Sequence, residues 1–314
     1  AGRHRLSPRP ARAVERSRTG SSRMNASAGF RILFRPPSAR SVLGCWLALP
    51  DRPARDAPSL VAVHGVRRAA DEQALLLGHR ASLTGRPVIA PCFDHRHWPR
   101  FQRIGSRSRA DQALIALLEE LARDGIGSAR RFDLFGFSAG AQFAHRFAML
   151  HPERLLRLTV AAAGWYTFPD AHPYPLGLGP GPSGNDRLAA TMRARLGHFL
   201  QLPIDICVGT RDDRRDRNTR RGACIDGQQG LHRVERAQRW YQALVRAGRC
   251  LAWPSRIRLT LLPGVGHDFH RCVSRAGLDR LVIPSGAEDL SPSPVGPWRA
   301  PSAGAVTAVH ARSG

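Results

Sequence analysis

Lysine is absent from this sequence: all 48 basic residues are arginine. Aromatic residues make up only 7 %, and few stand beside the arginine runs. The interleaved stacking platforms of single-stranded nucleic-acid binders are therefore missing, and no recognisable nucleic-acid motif takes their place. No apolar run approaches the roughly 18 residues that a membrane-spanning helix needs. The six cysteines (Cys45, Cys92, Cys207, Cys224, Cys250 and Cys272) include no C-x-x-C pair. That spacing argues against a zinc ribbon or a redox dithiol, and a chain this large needs no disulfide scaffold. The thiols are expected to be mostly buried. No internal repeat is present.

What is there is a chain of 314 residues with 42 % hydrophobic residues, enough for one large α/β domain or two small ones. The formal net charge is +24. Residues 1–40 carry ten arginines against the single acid Glu15, whereas residues 286–314 balance to zero. The excess reads as the arginine usage of a GC-rich genome. A basic surface for nucleic acid or an anionic membrane is the alternative.

Residues 1–25, rich in Arg, Ser and Pro without apolar period, are expected to be disordered. They read as translated upstream sequence with the start at Met24, ahead of a targeting segment or a solvated arm. A regular pattern then runs from residue 26 to residue 283. Strands are expected at 29–34, 42–49, 58–64, 87–91, 132–137, 156–163, 204–208 and 257–262. Helices are expected at 70–83, 110–123, 139–150, 230–247 and 270–282. Strands alternating with helices imply a mostly parallel sheet covered on both faces. The first pair, joined by the Pro36-Pro37 turn, is expected to be antiparallel. From Pro284 to residue 314 the composition turns abruptly to Pro, Ser, Gly and Ala, as a shifted reading frame would write it, and a disordered tail is expected. Resequencing the locus tests that reading.

The strongest chemical signal is Gly136-Phe137-Ser138-Ala139-Gly140, a G-x-S-x-G between an apolar strand and a helical segment. A serine on so sharp a turn presents its oxygen freely, and glycine at both flanks removes the Cβ atoms that would collide there. The helix N-terminus beneath favours developing negative charge. An activated serine needs a base. His267, in Pro263-Gly264-Val265-Gly266-His267, follows the last strand and so reaches the same sheet edge. A carboxylate must then hold the imidazole tautomer. Asp212, just past the strand at 204–208, is the choice; Asp213 and Asp216 are close rivals, and Asp205 lies within the strand. For an oxyanion hole, Gly65 after His64 lets the amide of Val66 face the site beside that of Ala139.

With nucleophile, acid and histidine in this chain order, residues 29–283 resemble the α/β-hydrolase superfamily. The G-x-S-x-G, G-T-x-D and G-x-G-H segments stand where that family's motifs stand, most like its polyhydroxybutyrate-depolymerase-like and small carboxylesterase branches. An HGGG loop is absent, since one glycine follows His64. The resemblance implies an α/β-hydrolase fold with a small cap insertion at about 164–203. It also implies a serine esterase with Ser138 as nucleophile, Asp212 as acid, His267 as base, and Val66 and Ala139 as oxyanion donors. Trp165, Tyr166 and Phe168, at the head of the insertion, are expected to line the substrate pocket. The expected substrate is a small-molecule or polymeric ester, with no cofactor, no metal, no nucleic-acid partner, no membrane span, and a cytoplasmic location. Thioester or perhydrolase chemistry on the same triad is the nearest alternative. A non-catalytic basic binding protein and a pseudogene product are the others. Asp94, His95 and His97 have metal-like H-x-H spacing but lack a third ligand, and read as a polar rim. The arginine-rich stretch 211–221 reads as a solvated loop, with preference for an acidic substrate as its functional alternative.

Overall fold

Strands β1 (Phe30–Arg35), β2 (Gly44–Pro50), β3 (Leu60–Val63), β4 (Val88–Cys92), β5 (Phe132–Phe137), β6 (Leu155–Ala161), β7 (Ile204–Gly209) and β8 (Ile257–Leu262) form one sheet in the order β1-β2-β4-β3-β5-β6-β7-β8. The structure is a computed structural model and describes residues 29–105, 108–182, 184–252 and 256–284. β2 runs antiparallel to β1 and β4, and every other pair is parallel. This is the mostly parallel sheet that alternating strands and helices implied, with the antiparallel pair at the start. The arm at 1–25 and the tail from residue 285 lie outside the described residues.

Why the central strands read as unbroken apolar runs is plain from their surroundings: both faces are covered. In β5, Phe132 and Leu134 join the larger core cluster while Phe135 and Phe137 join the other, so successive side chains feed opposite layers. The larger cluster is closed by α2 (Ala110–Arg123), α3 (Ala139–Leu150) and α7 (Arg233–Cys250), the other by α1 (Ala70–Ser82), α8 (Phe269–Ala276) and α9 (Leu278–Val282). In α2 the apolar residues 110, 113, 114, 117, 118 and 121 are buried, the stripe expected from their spacing. Every residue of α3 is buried, because α4 (Asp186–Ala194) and α5 (Leu196–Gln201) pack over it from outside the sheet.

Several boundaries move. The expected helix at 270–282 is two helices, because Gly277 adopts a left-handed φ of 65° and turns the chain between them. The strand expected to run to residue 163 stops at Ala161, since Ala162 also has positive φ. The helix expected from residue 230 begins at Arg233, with the His232 side chain accepting from the Glu235 amide as its cap. Helices α4, α5 and α6 (Ala223–Gln229) were not anticipated; they are short, and their stability comes from packing rather than from periodicity. Of the six free cysteines only Cys45, Cys207 and Cys272 are buried, while Cys224 and Cys250 are exposed. Val282 and Ile283 are fully buried, so the fold uses the chain to that point. No helix among the described residues is long and apolar enough to cross a membrane.

Candidate active site

β5 runs directly into Ser138 and then α3. Ser138 has φ 57° and ψ −113°, a conformation that costs a non-glycine residue roughly 1–3 kcal/mol and persists only where the surroundings impose it. They do so here through backbone contact. The Ser138 amide donates to Ala161 O of β6 at 2.8 Å. A Cβ on Gly140 would lie 1.9 Å from Val63 O of β3, and one on Gly136 would lie 2.3 Å from Gly140 O. The elbow glycines are thus required by space, and the helix start is wedged between two strands.

The loops leaving β7 and β8 are fastened to each other. Thr210 N donates to Leu262 O at 2.9 Å, Arg211 N to Val265 O at 2.9 Å, and Gly264 N to Thr210 Oγ1 at 2.9 Å. A Cβ on Gly209 would meet Val265 O at 2.3 Å, so no other residue permits this approach. The pairing brings Asp212 under His267. Asp212 Oδ2 lies 2.8 Å from His267 Nδ1, and His267 Nε2 lies 2.9 Å from Ser138 Oγ. Since a carboxylate only accepts, Nδ1 carries the proton and Nε2 is left to accept from the serine hydroxyl. The Phe137 ring stacks on the imidazole with centroids 5.2 Å apart. Of the rivals, Asp213 is exposed, Asp216 lies one ion pair further out, and Asp205 is held at the other end of β7 between Arg157 and Arg258.

The loop leaving β3 has its own anchor. His64 is buried, with Nδ1 2.9 Å from Gly65 O and Nε2 3.0 Å from the Phe93 amide. Gly65 O can only accept and the Phe93 N–H can only donate, so the ring is neutral with its proton on Nδ1. Burial lowers its pKa to about 4. Gly65 packs on Ser138, a Cβ there coming within 3.3 Å of the serine Cβ. The Val66 and Ala139 amides have no acceptor among the described residues. Val66 and Ser138 share a cavity of about 400 Å³ with Gln73, Asp216, Arg217 and His267.

None of Trp165, Tyr166 and Phe168 lines that cavity. Tyr166 is fully buried and stacks on Trp240 at 4.4 Å, and Phe168 belongs to the core. Trp165 is 5 % exposed and receives the guanidiniums of Arg146 and Arg220 on its ring at 4.1 and 4.9 Å. The segment 164–203 lies along α3, and the α3 side takes up its aromatic residues. Asp94 ties down the His97 amide at 2.8 Å, and among the described residues no cluster of His, Cys, Asp and Glu is arranged for a metal. In the arginine-rich stretch, Arg217 lines the cavity and Arg215 pairs with Asp226.

Arg233 went unnoticed in the sequence. It is 2 % exposed and donates to Asp212 Oδ1 at 2.9 Å, the carboxylate oxygen that His267 does not use. Its second nitrogen reaches Asp216 at 3.0 and 3.1 Å. The one local signal is its place at the first position of α7, where the helix dipole disfavours a cation.

No family model matches the sequence, nor does any curated protein. Solved structures do match. A poly(aspartic acid) hydrolase from Sphingomonas sp. KT-1 is 26 % identical, with a TM-score of 0.64 over 76 % of this chain and 94 % of that one. A poly(3-hydroxybutyrate) depolymerase from Bordetella parapertussis is 25 % identical, with a TM-score of 0.63 over 84 % and 93 %. A fluorophosphonate-binding serine hydrolase from Staphylococcus aureus shares the fold at 14 % identity, with a TM-score of 0.52 over 81 % and 96 %.

Proposed function

We propose that this chain, which has the α/β-hydrolase fold and belongs to that superfamily, is a serine hydrolase that cleaves a carboxylic ester through an acyl-enzyme. The observation that carries the reading is the unbroken hydrogen-bond chain from Ser138 Oγ through His267 to a buried Asp212. Oγ attacks the carbonyl carbon as its proton passes to His267 Nε2. Asp212 stabilises the imidazolium through Nδ1–H. The Val66 and Ala139 amides, lacking other acceptors, receive the tetrahedral oxyanion. Nε2 then gives its proton to the departing alkoxide, which leaves as the alcohol. Water enters, loses a proton to Nε2, and releases the acid as Oγ is reprotonated. Ester cleavage is favoured because the similar structures include a polyester depolymerase, and a cavity of this size admits one end of a polymer.

Labelling with a fluorophosphonate probe followed by peptide mapping tests the reading. The adduct is expected on Ser138 and lost in Ser138→Ala. Folded wild-type protein without an adduct would refute it.

A further inference from the structure

Resting on the serine-hydrolase reading, we propose that Arg233 is a positioning residue that turns one oxygen of Asp212 toward His267 and shares that carboxylate's charge with the imidazole. The geometry leaves little freedom. Arg233 and Asp212 are 2 % and 4 % exposed, so the pair is shielded from solvent. Arg233 Nη1 takes Oδ1, which leaves Oδ2 for the imidazole. Arg233 Nη2 holds Asp216, whose carboxylate in turn receives the Asn218 amide at 2.9 Å and the Thr219 hydroxyl at 2.8 Å. Asp216 and Asn218 both line the cavity that contains Ser138, so one guanidinium joins the acid to the cavity wall.

The surroundings let this one charge matter. The Tyr166 hydroxyl and the Cys272 thiol also lie near Asp212; burial drives both upward, the thiol to about 12, so both are neutral. The cavity that His267 lines carries side chains of both charges. Asp216 and Arg217 project from the loop after β7, and Glu72 and Arg67 from the β3–α1 side. Asp268, the cap of α8, follows His267 directly. Arg236, next along α7, is committed to Asp226. Charge removed at Arg233 therefore acts on the imidazole through Asp212.

The full chain is compared with Arg233→Gln, Arg233→Lys and Asp216→Asn by two readouts. The first is the NMR titration of the His267 ring, which requires no turnover. The second is the pH profile of fluorophosphonate labelling. In Arg233→Gln the ring titration and the acid limb of labelling are expected to move up together by about one pH unit. Arg233→Lys keeps the charge and restores most of the shift. Asp216→Asn removes a half-exposed acid and moves both downward. If Arg233→Gln does not fold, Asp216→Asn and Arg233→Lys decide the matter. Wild-type labelling with an unmoved ring titration in the folded variants overturns the role of Arg233 alone. A wild-type Ser138 that never labels refutes the hydrolase reading, and with it Arg233's part in hydrolysis.

Discussion

Exchange of Asp212 for asparagine keeps the shape of the site and reverses its proton order. The carboxylate now accepts from two donors, His267 Nδ1–H at 2.8 Å and Arg233 Nη1–H at 2.9 Å. Asparagine offers one acceptor and one donor group. A guanidinium has no acceptor at all, so the single amide oxygen is drawn to Arg233 and the amide NH₂ faces the imidazole. Nδ1 must then accept, the ring proton moves to Nε2, and Nε2 can no longer take the proton of Ser138. Both Asp212 and Arg233 are buried, so water does not relieve the conflict. A wrong tautomer in such a triad costs about 10⁴-fold in kcat, or about 5.5 kcal/mol of transition-state stabilisation. The assay is steady-state hydrolysis of an activated ester at neutral pH, with thermal melts to show that both proteins are folded. A folded Asp212→Asn variant within tenfold of wild type would refute the reasoning. A second arm isolates Arg233. In the double variant Asp212→Asn/Arg233→Gln the amide is free to flip, and activity should rise about 10- to 100-fold above the single variant, the worth of one buried hydrogen bond.

Gly140→Ala drives a Cβ to within 1.9 Å of Val63 O, where only backbone can move, and should cost about 3 kcal/mol. For a domain of this size that is a fall of about 6–12 °C in melting temperature; an unchanged melt would show that the elbow is less tightly wedged. His64 folds as a neutral ring with its pKa lowered to about 4 from 6.5. Its contribution is therefore complete above pH 6.5 and is lost as pH falls toward 4, about 3 kcal/mol in all. Urea unfolding between pH 7.5 and 4.5 should follow this loss, and His64→Asn should flatten the curve over that window. An equally steep curve in the variant would assign the acid sensitivity elsewhere, for instance to His145, which burial also pushes well below its ordinary value.

The bounds of α2, α3, β5 and β8 were legible from sequence because each carries an unbroken apolar pattern ending at a clear stop. The elbow serine, the histidine after the last strand and an acid after β7 were legible for a related reason. Each stands at the carboxyl end of a parallel strand, where that edge of the sheet gathers its loops. Which of Asp212 and Asp213 meets His267 was not legible, since one residue of offset is set by the hydrogen bonds between the β7 and β8 loops. The aromatics of the 164–203 segment were expected in the pocket because the resemblance places a cap there, and the packing of Tyr166 on Trp240 and of Phe168 in the core is invisible to that inference.

By itself, then, the sequence determined the sheet's parallel character, the placing of a serine, a histidine and an aspartate at the ends of β5, β8 and β7, and the glycines that make the elbow, because these depend on local geometry and short-range sterics. Only the tertiary structure decided that β3 lies between β4 and β5, which oxygen of Asp212 faces the imidazole, and that Arg233 holds the other. Those depend on which distant segments meet once the apolar faces are buried, and a buried ion pair between a loop and the first turn of a later helix leaves no periodic trace in the chain.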